Sequence, residues 1–133
     1  MKPAIGPPPG FPDVVGNCDE PYCISRSILD RLASRWGLLI IRQLMHGERR
    51  YSELRHAIGG VSEKMLAQTL RELERDGLIS RTSFPVVPPH VVYALTALGQ
   101  RCAEHVMPLL SFIEHHVRDF ADAHSAYDSR YSK

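Results

Sequence analysis

Apolar residues recur along this chain with two different periods, and the change from one to the other divides it into elements. They fall first at Ile24, Ile28, Leu29 and Leu32, the spacing of one helical face, with Ser25 near the start as a candidate cap. Trp36 and Gly37 interrupt that pattern. The run Leu38-Leu39-Ile40-Ile41, followed by Leu44 and Met45, then predicts a second helix that is apolar on most sides and therefore buried, with Gly47 as its stop. Leu54 and Ile58 mark a short third helix from about Ser52 to Ile58, which Gly59-Gly60 ends sharply. Ser62 is placed as the N-cap of a fourth helix, Val61 and Leu66 as its hydrophobic staple, and Gly77 as its end.

The composition then turns to β-branched and aromatic residues. Leu78–Phe84 and His90–Leu95 predict two strands, joined by Pro85-Val86-Val87-Pro88-Pro89, a connection too rich in proline to be paired. A last helix is predicted from Thr96 to about His124. Its apolar residues Leu98, Cys102, Val106, Leu109, Ile113, Val117 and Phe120 are spaced by four, four, three, four, four and three, a seam of coiled-coil type on a helix that Pro108 is expected to kink. The fold class is therefore mainly α with a small β-hairpin. Four helices, a hairpin and a long helix are the layout of a winged helix-turn-helix, in which the fourth helix enters a DNA groove and the hairpin is the wing.

Residues 1–21 hold six prolines and three glycines and are expected to form a flexible arm. Residues 22–124 form the one folded domain, and 125–133, with no pattern, are expected to be a flexible tail. The longest apolar run, Leu38–Ile41, is far too short to span a bilayer. The prolines after Met1-Lys2 leave no room for a secretory signal, so a cytoplasmic protein without membrane attachment is expected.

Net charge is only +1, but residues 42–81 hold eight Lys/Arg against six Asp/Glu while residues 82–133 hold four against five. The small basic excess thus lies in the middle, on the fourth helix and its neighbours. At about 100° per residue, Leu66, Leu70 and Leu73 cluster on one side of that helix and Lys64, Gln68, Arg71 and Arg75 on the other. Lys and Gln reach base edges in the major groove, while Arg, Lys or a hydroxyl at a helix N-terminus hold phosphates. The DNA-facing set is accordingly Ser62, Lys64, Met65, Gln68, Thr69, Arg71 and Arg75. Arg49 and Arg50 before the third helix, and Arg81 and His90 on the wing, are placed to clamp phosphates on either side.

Several stretches carry a family resemblance: Ser34-Arg35-Trp36; Arg49-Arg50-Tyr51-Ser52-Glu53-Leu54; Gly60-Val61-Ser62-Glu63-Lys64-Met65-Leu66 with Leu70-Arg71-Glu72-Leu73-Glu74; Asp76-Gly77-Leu78; and Pro88-Pro89 through Tyr93-Ala94-Leu95-Thr96 to Gly99. Together, over roughly Cys23 to Phe120, they resemble the HxlR-type branch of winged-helix transcriptional regulators, related to the MarR type. The resemblance implies a homodimer held by the first and last helices, with Ile28, Leu32, Val106, Leu109, Ile113, Val117 and Phe120 at the interface. It also implies one recognition helix per protomer in consecutive major grooves of a palindromic double-stranded operator, with repression as the default outcome for a short regulator. Two positions depart from the family pattern: Ile24 stands where a proline commonly follows the cysteine, and His90 where an arginine commonly follows the paired prolines. Neutral imidazole is a weaker phosphate partner than guanidinium.

Cys18, Cys23 and Cys102 are an odd number without a CxxC pair, which points to neither a disulfide framework nor a zinc ribbon. Some HxlR-type proteins sense oxidants or electrophiles through a cysteine just before the first helix, and Cys23 stands at the matching position. A thiol at a helix N-terminus beside Arg26 feels both the dipole and a cation, which favour the thiolate, and Cys18 is placed to resolve an oxidised Cys23. The alternative is an inert thiol. Cys102 lies on the apolar seam and is read as core.

Three other functions compete with this one. A metal- or ligand-responsive regulator would need converging ligands, but His105, His115, His116 and His124 contain no i, i+4 pair, so no metal and no cofactor are expected. A winged-helix module binding protein instead of DNA is the second. A thiol enzyme needs a nucleophile, a base and a pocket, and no histidine accompanies the cysteines of the arm, so the chain is not read as an enzyme.

Overall fold

The first helix starts from Cys23 rather than from Ser25. In the computed structural model, which describes residues 15–132, α1 spans Ile24–Ala33 with Cys23 as its N-cap. The Ser25 hydroxyl donates to Cys23 Sγ at 3.1 Å and so caps nothing. Most of the expected arm, residues 1–14, and Lys133 lie outside the described residues. Residues 17–23 form tight turns, with Glu20 N–H donating to the Asn17 carbonyl and Cys23 N–H to the Glu20 carbonyl, both at 3.1 Å.

Ser34 separates α1 from α2, Arg35–Leu44. Its hydroxyl accepts from Gly37 N–H at 3.1 Å and donates to the Arg31 carbonyl at 2.9 Å, so one side chain starts one helix while holding the end of another. Trp36 and Gly37 consequently fall inside α2 instead of ahead of it. A two-residue strand, β1 (Arg49–Arg50), precedes α3, Tyr51–Ala57. Arg50 N–H donates to the Glu53 carboxylate at 2.8 Å, which satisfies one of the unpaired donors at the start of α3.

α4 spans Glu63–Arg75, and Ser62 caps it by accepting from Met65 N–H at 3.1 Å. Gly77, at φ +79°, ends it in the left-handed conformation that a residue with a side chain adopts only at a cost. Leu78 N–H then reaches back to the Leu73 carbonyl at 3.0 Å, which turns the chain directly into β2, Ile79–Phe84. β3, His90–Leu95, pairs with β2 from Ile79 opposite Leu95 to Phe84 opposite His90. On its other edge β3 pairs with β1, Arg49 opposite Tyr93 and Arg50 opposite Val92, giving an antiparallel sheet of order β1-β3-β2. The expected hairpin is thus two strands of a three-stranded sheet.

One core joins these elements. Ile40, Ile41 and Leu44 from α2, Leu54 from α3, Leu66, Leu70 and Leu73 from α4, and Leu78 and Ile79 at the start of the wing are fully buried. Tyr93 and Ala103 close it from the sheet and from the next helix. The result is a helix-turn-helix, α3 to α4, clamped between α2 and a wing.

The expected single last helix is two. α5 spans Ala97–His115 and continues through Pro108; the break falls at His116, with φ −121° and ψ 24°, and α6 follows over Val117–Tyr131. Side chains stabilise this break. His115 Nδ1 lies 2.7 Å from the Ser111 carbonyl and His116 Nδ1 2.8 Å from the Phe112 carbonyl, while His116 N–H turns to the Ile113 carbonyl at 3.3 Å. The His116 imidazole thus donates to a carbonyl that has lost its regular helical donor, and the His115 imidazole adds a second donor one residue before it. The expected end near His124 lies inside α6. The seam explains the longer helix, because His124, Tyr127 and Tyr131 extend it by four, three and four residues.

Candidate nucleic-acid interface

The inner side of α4 is defined by burial of Leu66, Leu70 and Leu73, and this orients everything else on the helix. Lys64, Gln68, Arg71 and Arg75 lie on the opposite side, all exposed. Among the described residues none of the four makes a hydrogen bond or ion pair within the chain, so the folded protein leaves three cations and an amide facing water. Ser62 and Met65 are exposed beside them at the helix start. Thr69 is not part of this face. It is 4% exposed and its hydroxyl donates to the Met65 carbonyl at 2.8 Å, an internal bond that satisfies a buried hydroxyl. Helical geometry already indicated this, since Thr69 sits about 60° from Leu66 on the inward arc.

The turn before α4 is braced by two side chains that the sequence reading did not single out. The Tyr51 hydroxyl donates to the Glu63 carbonyl at 3.1 Å, and Arg55 donates to the Val61 carbonyl at 3.3 Å while pairing with Glu63 at 3.2 Å. Both reach from α3 into the first turn of α4 and fix the angle between the two helices. Neither could be found from local periodicity, because each bond crosses the Gly59-Gly60 turn.

The wing divides its cations between two faces. Residues paired across a sheet project to the same side, so Arg81, opposite Tyr93, faces α4. There Ala67, Arg71, Glu74, Arg81 and Tyr93 line a cleft of about 400 Å³. Arg50 and His90 lie on the other face, at a smaller cleft of about 200 Å³ shared with Glu48, Arg49, Glu53, Phe84 and Val92. His90 does not reach outward alone. Its ring stacks on Phe84 with centroids 5.0 Å apart, and Nδ1 lies 3.5 Å from the Pro88 carbonyl. Arg71 and Arg81 are therefore brought together, whereas Arg50 and His90 form a separate group.

Cys23 has surroundings of its own. Ser25 Oγ donates to its sulfur at 3.1 Å and Asn17 N–H donates at 3.4 Å. These hydrogen bonds, Ser25 first, hold its thiol below the ordinary value of 9.0, because they are stronger to a thiolate than to a thiol. The expected role of Arg26 is not seen: its guanidinium donates to the Cys18 carbonyl at 2.7 Å and the Asp19 carbonyl at 3.3 Å instead. Arg26 shapes the turn over the cysteine and leaves the thiolate to neutral donors. Cys18 is exposed, its sulfur 3.8 Å from the Ser25 carbonyl. Burial pushes Cys102 above 9.0. Alkylation by iodoacetamide followed against pH should thus show Cys23 titrating below 9.0 and Cys102 above it, and Ser25→Ala should move Cys23 upward; a Cys23 midpoint insensitive to Ser25→Ala would contradict this assignment.

No helix of the described residues is long and apolar enough to cross a membrane. The seam residues Leu109, Ile113, Val117 and Phe120 are between 42% and 61% exposed, and Val106, Ile28 and Leu32 are half-buried.

The model of the HxlR-like helix-turn-helix family matches residues 31–122, from the end of α1 to the first turns of α6. The HTH-type transcriptional regulator YtfH of Escherichia coli is 52% identical over 99 residues, 74% of this chain and 79% of that protein. The solved structure of the transcriptional regulator YtfH from Salmonella typhimurium superposes with a TM-score of 0.80 at 46% identity, covering 84% of this chain and 99% of that one. The redox regulator HypR, solved in its oxidised form, superposes with a TM-score of 0.64 at 30% identity, over 70% of this chain and 96% of its own. A helix-turn-helix with an outward cationic face and a wing, lying within the residues that the family model matches, places the chain in the HxlR-like family of DNA-binding helix-turn-helix transcriptional regulators.

Proposed function

We propose that the protein acts as a homodimer that represses transcription by occupying a palindromic operator, with one α4 in each of two consecutive major grooves. The observation that carries this reading is the exposed Lys64, Gln68, Arg71 and Arg75 face of a helix whose other side is locked into the core. Gln68 has the donor and acceptor pair that adenine presents in reverse, Lys64 and Arg71 suit guanine, and Ser62 at the helix start suits a phosphate. Arg81 beside Arg71 adds a second cation from the wing, and Arg50 and His90 supply a further group for the backbone, whereas Arg49, opposite Tyr93, donates to the Glu48 carbonyl. Dimerisation is supported by the uncovered seam, since a soluble protein rarely leaves a contiguous apolar strip of this length in water, and a two-fold symmetric strip covers itself.

Fluorescence anisotropy with a duplex selected by the protein from a random pool tests the reading. Binding that displaces counterions falls with salt at a log-log slope of about −0.9 per phosphate neutralised. A steep negative slope together with at least about a thousandfold preference over a scrambled duplex is expected. A flat slope, as a protein-binding module would give, refutes it.

Cys23 is the proposed oxidant or electrophile sensor, with Cys18 as the resolving thiol. Its lowered titration and its position as the N-cap of α1 support this, as does the likeness to a redox regulator. Oxidation couples the two sulfurs, the oxidant accepting two electrons as two thiols lose two protons. Diamide should weaken operator binding in the wild type and leave Cys23→Ser unaffected; an equal response in both removes Cys23 from the mechanism.

A further inference from the structure

Asp76 is an unusual residue to find where it stands. It is the C-cap of α4, where the helix already presents its negative end, and its carboxylate is only 5% exposed. A carboxylate in that position is unfavourable twice over, through the helix dipole and through lost hydration. It must be matched by a cation.

The match comes from α1, 45 residues earlier in the chain. Arg31 Nε donates to Asp76 Oδ2 at 2.8 Å and Nη2 to Oδ1 at 3.5 Å, with Nη1 3.8 Å from Glu72 Oε2. The planar guanidinium therefore engages two carboxylates on the last turn of α4, a geometry that an ammonium cannot copy. The same residue is fixed at its backbone. The Arg31 carbonyl accepts from Ser34 N–H and from the Ser34 hydroxyl that caps α2, and a Cβ at Gly37 would collide with that carbonyl. Three helix ends, those of α1, α2 and α4, meet at this one residue.

α1 has no fully buried residue and only Leu32 packs partly against the core, so its placement against α4 depends strongly on Arg31. We infer that Arg31 is a positioning residue for DNA reading: its fork onto Asp76 and Glu72 sets the angle between α1 and α4, and thereby where the α4 face points. The inference rests on the DNA-binding dimer proposed above. Asp76 directly follows Arg75, the last cation of the reading face, so a tilt at this joint moves that whole face. In a dimer built on α1 and the seam, the same tilt sets the separation of the two reading helices.

The joint can be tested without touching any residue of the reading face. Arg31→Gln alone strands a buried carboxylate and can unfold the chain, so the decisive variant is Arg31→Gln with Asp76→Asn, which leaves no buried charge unpaired. Circular dichroism at the assay temperature establishes that it is folded, and anisotropy is read on the duplex selected by the wild type, on a scrambled duplex, and on duplexes whose half-sites are moved apart or together by one base pair. The double variant is expected to bind the selected duplex about tenfold more weakly, within the range reported for residues that couple sites without touching the ligand. Its affinity for the scrambled duplex and its salt slope should be unchanged, and its preference among the half-site spacings should flatten. Wild-type affinity with wild-type spacing preference in the folded double variant overturns the inference, and so does a reduced salt slope, which would mean that Arg31 itself touches phosphate. A wild-type protein that selects no duplex at all refutes the DNA-binding reading instead.

Discussion

Alanine at both Gln68 and Arg71 will leave a protein that is folded and melts like the wild type but has lost specific DNA binding. Each base-directed contact is worth about 1 to 3 kcal/mol, and at about 1.4 kcal/mol per tenfold the pair together weakens binding by roughly 30-fold or more. Stability is spared because both side chains lie in water and, among the described residues, engage no partner in the chain. Alanine is also the better helix former. The two single variants distinguish the kinds of contact. A residue on a phosphate reduces the salt slope by about 0.9 and weakens all duplexes alike, whereas one on a base edge leaves the slope unchanged and relaxes the preference at one position. A large fall in melting temperature with unchanged affinity of the folded fraction would contradict the assignment.

Aspartate at both Ile113 and Phe120 will have the other large effect. Both side chains are more than two-fifths exposed in the single chain, so within it they support no core and their replacement leaves the winged-helix domain folded. In a dimer they face the partner. Four new carboxylates in one apolar seam repel one another and lose hydration, so sedimentation equilibrium should give 15.0 kDa for the variant and twice that for the wild type. A monomer holds only one half-site, and the loss of the second, intramolecular contact lowers affinity by about two to four orders of magnitude. A variant that stays dimeric places the interface elsewhere, and the symmetry of the operator would then have to be argued from that other surface.

The contrast between these two surfaces shows what local pattern can reveal. The α4 face was legible because one helix carries both signals, leucines at 66, 70 and 73 and long polar side chains opposite them, and burial of the first dictates exposure of the second. The same arithmetic placed Thr69 inward, and its inclusion among the DNA-facing residues let residue type outweigh angle. β1 escaped because two residues have no periodicity; it exists only through its pairing with Tyr93 and Val92. The last helix, expected to be single with a kink at Pro108, breaks at His116 for a physical reason. Proline removes one backbone donor, which α5 tolerates, whereas His115 and His116 supply side-chain donors that stabilise an end.

Contacts between distant parts of the chain were not legible at all. Arg26 and Cys23 are neighbours in sequence, and proximity suggested a cation beside a thiol; the turn of residues 17–23 instead presents the carbonyls of Cys18 and Asp19 to the guanidinium. Arg31 reads locally as one more charge on a surface helix, and only the folded chain brings it to Asp76. The family pattern pointed to an arginine where His90 stands. The structure shows what that position now does, a ring stacked on Phe84, and it leaves Arg81, on the face toward α4, as the cation of the two wing strands.

The central claim is that two copies of α4 lie in successive major grooves on one side of a duplex. Hydroxyl-radical footprinting on the selected duplex measures this directly. The account predicts two protected patches whose centres are about 10 base pairs apart and related by a two-fold axis, with both fading in Arg71→Ala and only one remaining site occupied at a time by the Ile113→Asp, Phe120→Asp monomer. A single continuous patch, or two patches on opposite sides of the helix that persist in Arg71→Ala, would contradict it.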